Sequence, residues 1–224
     1  MRAPLKNLDT IAEQILERLE AKNAAREEVL RLSRQLIQHA SRAIRAAHRR
    51  EWDVADKLLQ DAGKIASSIR VAAADHPDIF FAGYTQDALK ELAEAHITRA
   101  LMHNERLPTP DELQVEDAAW LNGLGEAAGE MRRHALDLIR RGEIEEAERI
   151  LDVMQEVHAV LSTVDFPDAI TGNLRRTNDM VRGVTERTRG DLTTAVRQEQ
   201  MKQALREFEE HISRLNHEIP DRWA

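Results

Sequence analysis

The chain of 224 residues contains no cysteine, 6 prolines, 9 glycines and only 4% aromatic residues. The absence of cysteine excludes a disulfide framework, thiolate metal sites and cysteine nucleophiles. The chain contains no run of about 18 apolar residues, the length that a membrane span requires. Residues 1–6 lack the apolar segment of a signal peptide. These absences predict a protein that acts in the cytoplasm and does not enter a membrane.

Hydrophobic residues make up 42% of the chain and charged residues 32%, a composition typical of a helical globular protein. We predict one domain over residues 1–224, because this length supports one substantial core without requiring a second. Helical periodicity runs almost from end to end, and no segment alternates as a strand would. Turn signals divide it into six predicted helices, at 9–49, 53–75, 78–105, 110–141, 143–164 and 168–215. The expected fold class is an all-α bundle of six to seven long helices.

Two pairs of glutamates are the leading candidates for a functional site. Glu91 and Glu94 precede the proline-containing connection at 107–110, and Glu126 and Glu130 follow it. Spacings of three and four place each pair on one helix face. If the two helices pack antiparallel, the four carboxylates converge, and oxygen ligands of this kind suit Mg²⁺ or Mn²⁺. Glycines at 123, 125 and 129 are expected to permit close helix packing beside the acids.

The alternative interpretation of each pair is a solvated helix face, because charged residues are rarely buried without partners. The same Glu-x-x-Glu spacing recurs at 17/20, 143/146, 145/148 and 207/210. Only the pairs at 91/94 and 126/130 lie among small apolar residues, which is an unfavourable setting for an acid without a function.

A stripe of arginines is the second candidate site. The formal net charge of −8 argues against a general polyanion binder. However, residues 31–50 include six arginines and no acid. Five of them fall within roughly an 80° arc of a helix and define the stripe: Arg31, Arg34, Arg42, Arg45 and Arg49. Such a stripe can bind phosphates, since the guanidinium fork suits bidentate contacts, or it can pair with neighbouring acids. The candidate RNA-binding residues are Arg34, Arg42, Arg45, His48 and Arg49.

Three motifs in order resemble the translin family. The segment 31–49 contains Leu-Ser-Arg, Ser-Arg-Ala-Ile and His-Arg, and is similar to the family's first long helix. Lys-Glu-Leu-Ala-Glu-Ala at 90–95 resembles Gln-Glu-Tyr-Val-Glu-Ala of the catalytic subunit, translin-associated factor X. Gly-Leu-Gly-Glu-Ala-Ala-Gly-Glu at 123–130 resembles Gly-Val-Thr-Asp-Leu-Thr-Gly-Glu of that subunit, with Glu126 in place of an aspartate. The resemblance extends over about 27–197.

The resemblance implies a translin-like, seven-helix subunit that assembles as a closed homo-octameric barrel. It also implies a metal-dependent endoribonuclease that cuts single-stranded RNA, with Glu91, Glu94, Glu126 and Glu130 as catalytic residues and ligands of Mg²⁺ or Mn²⁺. The noncatalytic branch, translin itself, lacks this set of acids.

Two alternatives remain open at this point. One is a noncatalytic translin-like oligomer that binds RNA or single-stranded DNA. The other is an all-α nucleoside triphosphate pyrophosphatase, which also carries Glu-x-x-Glu on one helix and two acids on the next. A ferritin-like diiron site is excluded, because no histidine has a glutamate three residues before it.

Overall fold

The computed structural model describes residues 7–218, and side chains as far as residue 214. The predictions about residues 1–6, and about the last residues of the proposed domain, therefore lie outside the described residues. Within them the structure contains six long helices and three helices of one turn. In chain order these are α1 Leu8–His48, α2 Trp52–Ala72, α3 Pro77–Phe80, α4 Gly83–Met102, α5 Pro110–Leu113, α6 Asp117–Arg141, α7 Ile144–Ser162, α8 Asp168–Thr171 and α9 Leu174–Glu218.

The all-α prediction is confirmed, and the described part of the chain contains no strand. Three predicted helices are each divided into a short and a long helix. The divisions occur where Ala82 adopts an extended conformation, where Gln114 is left-handed with φ of 52°, and where Gly172 is left-handed with φ of 61°. A left-handed residue cannot continue a right-handed helix, so α5 and α8 end after one turn.

The connection between α4 and α6 is fixed by local hydrogen bonds. Thr109 caps α5, since its Oγ1 accepts a bond from Glu112 N at 3.2 Å while a Glu112 carboxylate oxygen accepts one from Thr109 N at 2.8 Å. This reciprocal capping box is an N-terminal signal that the Thr-Pro-Asp-Glu sequence predicts. Trp120 Nε1 then donates to Pro108 O at 2.9 Å, which ties the connection to the first turn of α6.

The arrangement of α4 and α6 corrects one premise of the sequence analysis, because the two helices run parallel. Asp87, near the start of α4, lines a groove with Ala119, near the start of α6. Met102, at the end of α4, lies in the same core cluster as Ala135, near the end of α6. The connection 103–116 therefore returns along the bundle to the level at which α4 began, where Glu116 lines the same groove as Gly83.

Helix α6 occupies the centre of the bundle, where it packs against α4, α7 and α9, while α1 packs against α2 and α4. The core is formed by aliphatic side chains and many alanines, so the helices approach closely. None of the described helices combines the length and apolar character needed to cross a bilayer.

Two of the three glycines expected to permit close packing do so. A Cβ atom at Gly123 would lie 2.9 Å from both Lys90 O and Glu94 N, which are backbone atoms of α4. A Cβ at Gly125 would overlap the Thr177 methyl group of α9. The expectation is wrong for Gly129, where an added Cβ would meet nothing within 4 Å.

We predict that Gly123→Ala lowers the free energy of unfolding by about 2 kcal/mol or more, because overpacking against a backbone forces helices to shift. Gly129→Ala is the matched control on the same helix, and it should stabilise by up to about 1 kcal/mol through helix propensity. Urea denaturation of both variants measures the difference. A Gly123→Ala protein as stable as the wild type would contradict the close approach of α4 and α6.

Candidate metal centre and arginine face

Three of the four predicted carboxylates meet where α4 and α6 are closest. Glu91, Glu94 and Glu126 each offer a carboxylate oxygen, and these oxygens all lie within 4.8 Å of one another. The geometry arises because residues three apart on α4 face α6, and because Gly123 brings the α6 backbone against Lys90 and Glu94. A group of three oxygen donors of this kind could hold a metal ion. We refer to these three residues as the carboxylate trio.

Glu94 is the most deeply placed member of the trio, with 8% of its surface exposed. Burial raises the pKa of Glu94 to about 8, and the charges of Glu91, Glu126 and Glu130 add to this shift. Burial also raises the pKa of Glu91, although the neighbouring Lys90 opposes the increase. When all three are ionised, the carboxylates of the trio carry more negative charge than Lys90 neutralises, which is the electrostatic condition that favours a bound proton or cation.

Glu130 lies beside the trio and has a partner of its own. Its Oε2 is 2.5 Å from Nε2 of His48, and 3.9 Å from an Arg133 guanidinium nitrogen. The hydrogen bond from His48 lowers the pKa of Glu130, against the effect of burial. Because Glu130 still raises the pKa of Glu94, the fourth acid contributes to the electrostatics of the site from a neighbouring position.

The structure places His48 in this acidic region and not on the exposed arginine stripe. Its side chain is 4% exposed, and its Nδ1 is buried with no hydrogen-bond partner among the described residues. The His134 ring lies at a centroid distance of 6.4 Å. Helical spacing contains a signal for this position, because at about 100° per residue His48 falls outside the arc of the arginines.

Lys90 is a member of the site that the sequence analysis did not identify. Its Nζ lies 2.6 Å from a carboxylate oxygen of Glu126 and 3.6 Å from one of Glu91. Burial opposes the charge of Lys90, but the bond to Glu126 and the nearby acids outweigh burial and raise the pKa of Lys90. The signal in the sequence was a lysine at position 90, where the resembling family segment has glutamine.

A groove of about 680 Å³ opens beside Lys90 and Glu126, between the beginnings of α4 and α6 and the segment 169–177. Its charged lining residues are Asp87, Lys90, Glu116, Asp117 and Glu126. The groove gives solvent molecules and ligands access to one side of the carboxylate trio.

The arginine stripe is exposed along α1, as its helical arc predicts. Its two ends are ion-paired, because Arg31 binds Glu28 through nitrogens at 2.8 and 2.6 Å, and Arg49 binds Glu51 at 2.9 and 2.7 Å. Arg45 donates to Ser41 at 2.7 Å.

The remaining two arginines of the stripe have no such partner. Arg34 and Arg42 make no ion pair with any residue in the described part of the chain, and both side chains are exposed. The middle of the stripe thus retains positive charge that can contact phosphates.

The raised pKa of Glu94 predicts a pH dependence of stability in metal-free buffer. The folded protein holds a proton on Glu94 up to about pH 8, whereas the unfolded chain releases it near pH 4.5. The folded state therefore binds more protons between these values, and stability is lost as the pH rises through this window.

We expect Glu94→Gln, which carries no charge, to be more stable than the wild type at pH 8.5 in EDTA, by roughly 1–3 kcal/mol. At pH 5 the two proteins should differ little. Thermal unfolding across this range measures the effect. An equal pH dependence in both proteins would contradict the raised pKa of the buried Glu94 carboxyl.

No protein-family model matches the sequence. An uncharacterized protein of Methanocaldococcus jannaschii is 27% identical over 202 residues, which cover 89% of each chain. The solved structure of the Archaeoglobus protein AfC3PO in complex with duplex RNA is 34% identical, with a TM-score of 0.76 over 82% of this chain and 95% of that chain. The Nematostella protein apo-NeC3PO has the same fold at 21% identity, with a TM-score of 0.74 over 87% of this chain and 100% of that chain. Because the similarity to AfC3PO exceeds 30% identity over nearly its whole length, the chain belongs to the translin family as a relative of the C3PO-type proteins.

Proposed function

We propose that this protein is a metal-dependent endoribonuclease that cleaves single-stranded RNA within a homo-oligomer. The observation that carries the proposal is the carboxylate trio, whose oxygens lie within 4.8 Å of one another on two adjacent helices. The solved complex of the related protein AfC3PO with duplex RNA supports a nucleic acid as the substrate.

Glu91, Glu94 and Glu126 would hold one or two Mg²⁺ or Mn²⁺ ions, and Glu130, oriented by His48, would support them from the side. A bound cation would lower the pKa of a water molecule and neutralise charge on the scissile phosphate. Glu126 replaces the aspartate of the resembling catalytic segment, so its carboxylate reaches one methylene farther. That extra length is consistent with its contact to Lys90 on the opposite helix.

The exposed arginines of α1 would hold the RNA backbone, together with any single-stranded DNA that binds. Arg34, Arg42 and Arg45 are free of ion pairs within the described residues, whereas Arg49 must exchange its bond with Glu51 for a phosphate. Binding should show little sequence preference, because phosphate contacts position the nucleic acid without reading its bases.

The metal-dependent activity is tested by Glu91→Gln. This variant keeps the shape of the side chain but removes a charged ligand, so cleavage of a labelled single-stranded RNA in Mg²⁺ should fall by about 100-fold or more, as expected when several kcal/mol of metal stabilisation are lost. Glu148→Gln is the matched control, because Glu148 belongs to an exposed Glu-x-x-Glu pair on α7. A wild-type rate in Glu91→Gln would exclude the residue from the site, and wild-type protein that binds RNA without cleaving it would favour the noncatalytic alternative.

Phosphate binding by the stripe predicts a particular salt dependence. The double variant Arg42→Ala/Arg45→Ala should bind single-stranded RNA more weakly and reduce the slope of log affinity against log salt by up to about two, since each arginine neutralises about one phosphate. Arg182→Ala/Arg189→Ala removes two exposed arginines of α9 that pair with local acids, and it should leave the slope unchanged. Fluorescence anisotropy at several salt concentrations provides the slopes. An unchanged slope in the α1 variant would mean that the stripe faces something other than RNA.

Assembly is supported by two helical arms with apolar side chains in solvent. The first part of α1 exposes Leu8, Ile11, Ile15, Leu16 and Leu19, and the last described part of α9 exposes Met201, Leu205, Phe208 and Ile212. On α9 these positions follow the spacing of four, three and four that forms a coiled-coil seam. Isolated helical arms of about 20 residues are marginal in water, so we propose that a second copy of the chain covers them in a homo-octamer.

Light scattering should therefore give a mass near eight times 25.5 kDa for the wild type. Leu205→Glu/Phe208→Glu should dissociate the assembly into smaller species, because charges within a buried seam are costly. Gln203→Glu, an exposed position on the same helix, is the control. A wild-type mass of one subunit at micromolar concentration would rule out the assembly.

A further inference from the structure

The ammonium group of Lys90 lies among the carboxylates of the proposed metal site. Its Nζ is 2.6 Å from Glu126 and 3.6 Å from Glu91, and its side chain is 20% exposed. The contact joins the two helices that form the site, since Lys90 belongs to α4 and Glu126 to α6.

Among the described residues, Lys90 is the basic residue that forms ion pairs with members of the trio. Two other basic side chains of the region, His48 and Arg133, contact Glu130 and not a member of the trio. Charge-assisted hydrogen bonds of this length are stronger than neutral ones. Hence a cation that enters the trio meets a carboxylate that already has a partner.

Lys90 also lines the groove of about 680 Å³ beside the trio. Its lining includes the acids Asp87, Glu116, Asp117 and Glu126, and among these described lining residues Lys90 carries the only positive charge. A phosphate that enters the groove would be repelled by the acids, and Lys90 is the lining group that can contact it favourably.

We propose that Lys90 is an exchangeable counter-cation: a divalent ion displaces its ammonium from Glu126, and the released side chain then binds the phosphate of RNA in the groove. Displacement follows from electrostatics, because an ammonium and a dication on the same carboxylates repel each other at short range. Lysine suits such an exchange, since its compact charge sits on a flexible four-carbon stem. This inference rests on the proposed metal-dependent function.

Calorimetric titration of the full-length protein with Mn²⁺ tests the displacement without any measurement of activity. Lys90→Gln should bind Mn²⁺ about tenfold more tightly than the wild type, because the ion no longer competes with a charge-assisted hydrogen bond. Lys90→Arg, which keeps the charge, should show no such gain. Lys64→Gln removes an exposed lysine that pairs with Asp61 on α2, and its affinity should equal that of the wild type.

Chemical labelling of the wild-type protein provides a second test of the displacement. Acylation of amines followed by mass spectrometry should show faster modification of Lys90 when Mn²⁺ is present, because the ammonium leaves its carboxylate partners. Lys64 should react at the same rate in both conditions. Equal reactivity of Lys90 with and without Mn²⁺ would overturn the displacement.

The proposed contact of Lys90 with phosphate is tested by comparing Mn²⁺ binding with RNA cleavage. At saturating Mn²⁺, Lys90→Gln should cleave RNA more slowly despite its tighter metal binding, whereas unchanged or faster cleavage would overturn the second half of the proposal. Wild-type protein that binds Mn²⁺ no less tightly than Lys90→Gln would refute the exchange and leave the metal site intact. Failure of both proteins to bind Mn²⁺ would refute the metal-dependent function and this inference together.

Discussion

The close approach of α4 and α6 at Gly123 is the constraint on which the candidate site depends. Without a side chain at this position, the α6 backbone lies against the backbone of α4 at Lys90 and Glu94. Glu126, one turn further along α6, is then within reach of Glu91 and Glu94. Gly125 permits the corresponding approach of α9 on the other side of α6. The two glycines cost helix propensity, and their effect is to bring three helices close together around one segment.

The same packing creates an electrostatic conflict that defines the chemistry of the site. Glu94 is buried among like charges and its pKa is raised to about 8, whereas the bond from His48 lowers the pKa of Glu130. Neighbouring acids are thus held in different protonation states by their surroundings. Lys90 neutralises part of the remaining charge, so the acids are accommodated without becoming fully satisfied. Strongly perturbed groups of this kind are concentrated at functional sites.

Charge is distributed unevenly between the site and the rest of the molecule. The chain has a formal net charge of −8, yet α1 carries an exposed stripe of arginines. Ion pairs with Glu28 and Glu51 neutralise its two ends, whereas Arg34 and Arg42 in the middle have no such partner among the described residues. His48 connects the two regions, since it lies between Arg45 and Arg49 in the chain and binds Glu130 on α6. One long helix thereby contributes to both candidate functions.

Much of this protein is determined by local sequence. Apolar periodicity of 3.6 and the Thr109 capping box specify the long helices and a helix start, because these signals act within a few residues. The three family motifs and the spacing of the glutamates also identified the candidate acids.

Tertiary structure alone decided how the helices run and which side chains meet. The sequence permitted an antiparallel pair, but the connection 103–116 returns along the bundle and makes α4 and α6 parallel. The path of the chain also brings Glu130 of α6 to His48 of α1, and Glu126 of α6 to Lys90 of α4. Such contacts join residues 36 and 82 positions apart, so they depend on the path of the whole chain and not on any local pattern.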